Sequence, residues 1–123
     1  MTAGFTMAQI AHLLLNVILL AIGQVLLKIG ADRADVVTDM ASFVRLLSGP
    51  VILLALVLYG VTTVLWVYTL QQVPLSRAYP FTALGFVMVP LASFLVLREP
   101  VNLSFALGVL FILVGLYFIV QSR

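Results

Sequence analysis

The chain has 123 residues, of which 64% are hydrophobic and only 8% charged, whereas about a quarter of the residues in a typical soluble domain are charged. That composition excludes a water-solvated globule. The absence of cysteine excludes disulfides and thiol chemistry, and a net charge of +2 leaves no basic surface for nucleic acid.

The few charges are spaced so that none falls between Met1 and Lys28, Arg45 and Arg77, Arg77 and Arg98, or Glu99 and Arg123. Each interval is long enough for the about 20 residues that cross a bilayer core. This predicts an all-α membrane protein, a single domain of four transmembrane helices. The N-terminus lacks the basic region of a cleaved signal peptide, and its apolar run continues to Lys28, so it is expected to remain as the first span.

That first helix is expected from about Met7 to Ile29. With Asn16 as origin and about 100° per residue, His12 falls near −40°, Gly23 near −20°, Gln24 near +80° and Lys28 near +120°. The polar side chains therefore share about half the circumference. For His12 and Asn16 two readings stand, contact with neighbouring helices or exposure to a cavity. Lys28 either snorkels to the interface or joins Gln24 on a substrate path, and the path is favoured because polar groups in a membrane are costly.

The stretch from about Ala31 to Leu47 holds all three aspartates, together with Val36, Val37, Met40, Phe43, Val44 and Leu47 at helical spacing. It reads as an amphipathic segment lying in the interface, or else as a solvated connector. No carboxylate pair here has a histidine nearby, so no metal or other cofactor is expected.

The second helix starts at Gly49-Pro50, where a first-turn proline is harmless, and continues to about Val73. Trp66 and Tyr68 near its end suit an interfacial aromatic belt, or a pocket for a sugar or acyl chain. Pro74 and Pro80 then bracket the break between two apolar runs, because proline cannot donate a backbone hydrogen bond and restricts the residue before it. The third helix, about Leu75 to Leu97, carries Tyr79, Pro80, Thr82, Gly85 and Pro90, with kinks expected at Gly85 and Pro90. After the short Arg98-Glu99-Pro100 turn comes the fourth helix, about Val101 to Val120. Gly108 and Gly115 lie seven residues apart on one face of it, which suits close approach of a second helix and hence a dimer.

Lys28, Arg33, Arg45 and Arg98 fall on one side of such an arrangement, and Arg77 and Arg123 on the other. The positive-inside rule then puts the first and third loops in the cytoplasm.

Four motifs follow one another along nearly the whole chain: Gly23-Gln24-x-x-x-Lys28, Val73-Pro74-x-x-x-Ala78-Tyr79-Pro80, Arg98-Glu99-Pro100-Val101, and Gly108 to Gly115. Together they resemble the small four-helix branch of the drug/metabolite transporter superfamily, which includes the small multidrug resistance exporters. Within it the chain is most similar to subunits of the 4-amino-4-deoxy-L-arabinose–phosphoundecaprenol flippase. The resemblance implies a dimeric bacterial inner-membrane protein, homodimer or heterodimer, that moves a polyprenyl-phosphate-linked sugar and is not an enzyme. The multidrug exporters of this branch carry a membrane-embedded glutamate three residues before the glycine; here that position is Leu20. A proton-coupled cation exporter needs such a carboxylate, so this chain departs from that type. It also departs from the flippase pattern at Arg77, a place usually apolar, and in its long acidic connector.

A lipid-linked sugar phosphate has an anionic head that hydrocarbon solvates poorly. Lys28, Arg77 and Arg98 are the candidates to hold the phosphate, and Gln24, Asn16, Tyr79 and Thr82 to hydrogen-bond the sugar. Glu99 is expected to pair with a basic residue or cap the fourth helix. Transport is expected by alternating access, each chain supplying one half. Two other readings compete: export of a small solute or cation, and an accessory subunit that stabilises a glycosyltransferase. Enzyme chemistry has no constellation, since His12, the only histidine, has no nucleophile or carboxylate beside it at helical spacing.

Overall fold

The computed structural model describes residues 5–122, so Arg123, one of the two cations assigned to the second side, lies outside the described residues. The fold is all-helical: α1 (Met7–Arg33), α2 (Met40–Leu47), α3 (Pro50–Leu70), α4 (Leu75–Leu97) and α5 (Leu103–Gln121). All but α2 are long and apolar enough to cross a membrane.

The first helix begins with a capping box. Thr6 Oγ1 accepts the Gln9 amide at 3.1 Å and Gln9 Oε1 accepts the Thr6 amide at 3.0 Å, which satisfies two of the orphan donors at the helix start. Gln9 Nε2 also donates to the Gln72 carbonyl at 3.4 Å, tying this end to the turn after α3. Expected to stop near Ile29, α1 runs 27 residues to Arg33. At about 1.5 Å per residue it is about 40 Å long, more than the about 30 Å of a bilayer core. Its last turn therefore projects beyond the hydrocarbon and carries Asp32. The membrane-crossing part of α1 thus holds no carboxylate, and Asp32 stands on the extension beyond it.

The connector is helical only over α2, shorter than the expected segment. Ala34 to Thr38 precede it without regular structure. Asp39 Oδ1 accepts the Ser42 amide at 2.8 Å, while Ser42 Oγ accepts the Asp39 amide at 3.0 Å. Met40, Phe43, Val44 and Leu47 on α2 are exposed, as an interfacial helix requires.

Gly49 and Pro50 start α3. Along it Thr62, Thr63 and Thr69 donate to carbonyls four residues back, at 2.8, 2.8 and 2.9 Å, so these hydroxyls are satisfied inside the helix. The helix ends at Leu70, and a turn through Gln72 leads to Pro74, the N-cap of α4.

The third span, α4, is not one regular helix. Leu75–Ala78 is α-helical, Tyr79–Leu84 is 3-10, Gly85–Ala92 is α-helical again and Ser93–Leu97 is a π turn. Kinks were expected at Gly85 and Pro90, but both lie in the regular piece. The departures flank it. Pro80 sits in the first turn of the tightened stretch, and Pro90, unable to donate to the Phe86 carbonyl, precedes the widened one. Arg98 closes the span in the left-handed region, φ 59°, and the amides of Arg98 and Glu99 both reach the Ser93 carbonyl. Asn102, not Glu99, caps α5, its Oδ1 accepting the Phe105 amide at 2.8 Å.

The central element is α1. The length of α3 packs against it, and α4 meets it through Gly85–Ala92. Leu13, Val73, Ala78 and Phe81 form a buried cluster where α1 begins, α3 ends and α4 begins, with Phe5, Trp66, Leu70 and Leu84 around it. Trp66 thus packs on the core, whereas Tyr68 is half exposed and meets the His12 ring edge-on, centroids 5.3 Å apart. The last span, α5, rests mainly on the 3-10 turns of α4 and buries only Leu116 among its residues. Such exposure suits lipid, which is as apolar as the side chains it covers.

Candidate functional site

On α1, positions 16, 23 and 30 recur every seven residues and face α3. Asn16 is buried and donates from Nδ2 to the Thr62 carbonyl at 3.3 Å. A Cβ on Gly23 would stand 3.1 Å from Cε2 of Tyr59, and one on Gly30 only 2.5 Å from Cδ1 of Ile52. Small residues here let the two helices approach closely. Of the two readings of Asn16, contact with a neighbouring helix is the one its Nδ2 bond shows. Gly30, which sequence reasoning missed, is the tighter of the two glycine contacts.

About 100° round the helix from Gly23, Gln24 is exposed, with the Tyr59 hydroxyl beside it; that hydroxyl is buried and lacks a well-formed hydrogen bond. Lys28 follows at the same end. Its Nζ lies 3.0 Å from Asp32 Oδ1 and 4.0 Å from Glu99 Oε2, and Glu99 Oε1 accepts a short hydrogen bond from the Ser93 hydroxyl. The i,i+4 spacing of Lys28 and Asp32 makes the first contact, and the left-handed Arg98 turns Glu99 back toward α1 to make the second. All three groups are about half exposed, so the network is hydrated and can open.

Alongside it runs a groove of about 470 Å³ between α1 and α4, lined among others by Ile22, Val25, Ile29, Met88, Leu95 and Val96. Its walls are apolar throughout. Ile29 adjoins Lys28 in the chain and Val96 is three residues from Glu99, so these lining residues belong to the helix ends that carry the charged cluster.

The remaining candidates are not brought to that end. Arg77 lies over the Phe5 ring, 4.4 Å from its centroid, at the start of α1, a cation–π contact at the opposite end of the bundle. Thr82 donates its hydroxyl to the Tyr79 carbonyl at 2.6 Å, and the Tyr79 side chain is exposed. Arg98 adjoins the cluster through Glu99, so of the three candidate phosphate donors Lys28 and Arg98 lie at one end and Arg77 at the other, as the charge pattern along the chain places them. Pro74 and Pro80 shape the start of α4, and a Cβ on Gly85, Gly108 or Gly115 would meet nothing within 4 Å.

The pattern of the EamA-like transporter family matches residues 4–121. Among individual proteins, the chain is 36% identical over 93 residues to a "Probable 4-amino-4-deoxy-L-arabinose-phosphoundecaprenol flippase subunit ArnE" of Sodalis glossinidius, covering 76% of this chain and 79% of the relative. Proteins of the same description from Enterobacter sp. and Escherichia coli are 44% and 46% identical over 63 residues, 51% of this chain in each case. Those two matches take in only 59% and 57% of the relatives' own length. No solved structure matches the chain. A chain of four membrane-length helices whose residues 4–121 fit this family is a multi-pass inner-membrane protein, and it belongs to the EamA-like transporter family.

Proposed function

We propose that the protein is a flippase subunit that carries a polyprenyl-phosphate-linked sugar across the inner membrane, the cargo being of the aminoarabinose–phosphoundecaprenol kind. The observation that carries this reading is the apolar groove between α1 and α4, whose lining residues Ile29 and Val96 lie one and three residues along the chain from the paired Lys28 and Glu99. A lipid of this class has an isoprenoid tail, an anionic phosphate and, with an amino sugar, a cationic head. The groove offers the tail a wall of matching polarity. Lys28 offers the phosphate a donor, and the carboxylates it releases are free to meet an ammonium group. The names of the relatives point to the same cargo. Translocation follows by alternating access, with a second four-helix chain, identical or related, supplying the facing half.

The test uses the protein with its second chain, where it needs one, in phosphatidylcholine vesicles that carry the lipid-linked amino sugar in the inner leaflet. An impermeant amine reagent reads arrival outside. Wild type should accelerate labelling. Lys28→Ala and Ala92→Trp, which fills the groove from another of its lining residues, should return it to the protein-free rate. No acceleration by wild type overturns the reading, and wild-type rates in Lys28→Ala remove that residue from the mechanism.

A further inference from the structure

A second groove, of about 270 Å³, lies where the end of α1, the helix α2 and the start of α3 meet; Gly30, Arg33, Arg45, Leu46, Gly49 and Ile52 line it. Two exposed arginines thus border one recess. Among the described residues neither Arg33 nor Arg45 has an ion-pair or hydrogen-bond partner. Nearby carboxylates are occupied elsewhere: Asp32 pairs with Lys28 and Asp39 caps α2. Asp35, the third of the connector, lies within ion-pair distance of neither arginine.

The floor of the recess is equally short of acceptors. The N-cap of α3 is Gly49, which has no side chain to receive the first amides of a 21-residue helix, and Pro50 follows it. The Val51 and Ile52 amides therefore stand at the positive end of the helix without a capping oxygen. Two forked donors and an uncapped helix start make a pocket for a tetrahedral oxyanion.

Depth selects its source. The recess is flanked by α2, whose exposed Met40, Phe43, Val44 and Leu47 suit a helix lying at the boundary of the hydrocarbon. An anion held there is at the level of lipid phosphates. We propose that Arg33 and Arg45, with the start of α3, form a binding site for the phosphate of an anionic membrane lipid, distinct from the Lys28 cluster. The site does not depend on the flippase reading: it would hold such a lipid whether or not the protein transports one.

The full-length protein, purified in mild detergent, is mixed with phosphatidylglycerol, phosphatidylcholine or undecaprenyl phosphate, and retained lipid is read by native mass spectrometry. Wild type should retain one anionic lipid with about thirtyfold preference over phosphatidylcholine, the scale expected for two basic groups at an interface. The double variant Arg33→Gln/Arg45→Gln should lose that preference. Ser76→Glu/Gln121→Glu lowers net charge by the same amount at the other end and should keep it. Arg33→Lys/Arg45→Lys keeps the charge but not the fork, and should retain the lipid more weakly. Thermal unfolding in the same detergent shows that each variant is folded.

Retention of both anionic lipids supports the site. A preference for undecaprenyl phosphate also supports it and joins it to transport. Equal loss in the charge-matched control, unchanged retention in the glutamine pair, or displacement of the lipid by millimolar inorganic phosphate overturns it. If the vesicle assay shows no translocation while lipid is still retained, the flippase reading fails and the site stands.

Discussion

At Gly30 the packing of α1 on α3 leaves the least room. The added methyl group of Gly30→Ala would stand 2.5 Å from Cδ1 and 2.7 Å from Cγ1 of Ile52, closer than nonbonded carbons approach. The Ile52 side chain can turn aside, but it is buried, so its new rotamer must find space in the same contact. Overpacking of this kind costs about 1–3 kcal/mol. Gly30→Ala is therefore expected to lower stability by that amount in a reversible detergent unfolding assay, and Ile52→Ala in the same chain should recover part of it. Additive effects of the two changes would show that the residues do not touch. The glycine is legible in hindsight, because Asn16, Gly23 and Gly30 keep the same seven-residue spacing that drew attention to Gly108 and Gly115. Which face of α1 meets which helix was not legible. A helical wheel gives angles within one helix and no partner for them, so it left Asn16 between a neighbouring helix and a cavity, and the Thr62 carbonyl shows the helix contact. The Lys28–Asp32 contact, by contrast, follows from spacing alone once the helix is known to continue past Ile29.

Among the elements, α2 depends most visibly on a single local device. It is eight residues long, too short to persist by propensity, and its start is held by the reciprocal bonds of Asp39 and Ser42. The Ser42 backbone amide, and then its side chain, hold the Asp39 carboxyl below the usual aspartate value. A group whose folded value is depressed stabilises the folded form above its unfolded value, and that contribution is lost as pH falls through the folded one. Protection of the amides of residues 43–46 in hydrogen exchange should therefore hold at neutral pH and fall once pH drops below about 4. Asp39→Asn, which caps without titrating, should flatten that dependence, and Asp39→Ala should weaken protection at every pH. A pH dependence that survives Asp39→Asn would place its origin elsewhere. The sequence indicated an amphipathic interfacial segment but overstated the helix in it, since apolar spacing persists through Val36 and Val37 while the backbone does not turn until Asp39. In α4 the prolines revealed that the span is broken. Where it breaks depends on how the freed carbonyls find new partners, and that is decided by neighbouring turns.

For the molecule as a whole, the asymmetry of burial is the main clue to assembly. One flank, where α1, α3 and α4 meet, is packed around glycines, whereas α5 touches little beyond the 3-10 turns of α4. Gly108 and Gly115 leave a shallow strip on α5 where an added Cβ meets no atom within 4 Å. Within one chain a glycine in such a place is a disadvantage, lowering helix stability by about 1 kcal/mol relative to alanine. A second helix lying on the strip would recover that loss through close backbone contact. We expect a dimer to form across this strip, with an identical or related chain, and the groove beside Lys28 to be completed by its partner. Gly108→Leu/Gly115→Leu should then convert the dimer to monomer, read by single-molecule photobleaching in membranes, without lowering the monomer's thermal stability. Flippase activity in the vesicle assay should fall with the dimer fraction. If the leucine pair remains dimeric, the interface is not on this face of α5. If it becomes monomeric and still translocates at the wild-type rate, one chain suffices for transport and the two-half mechanism is wrong.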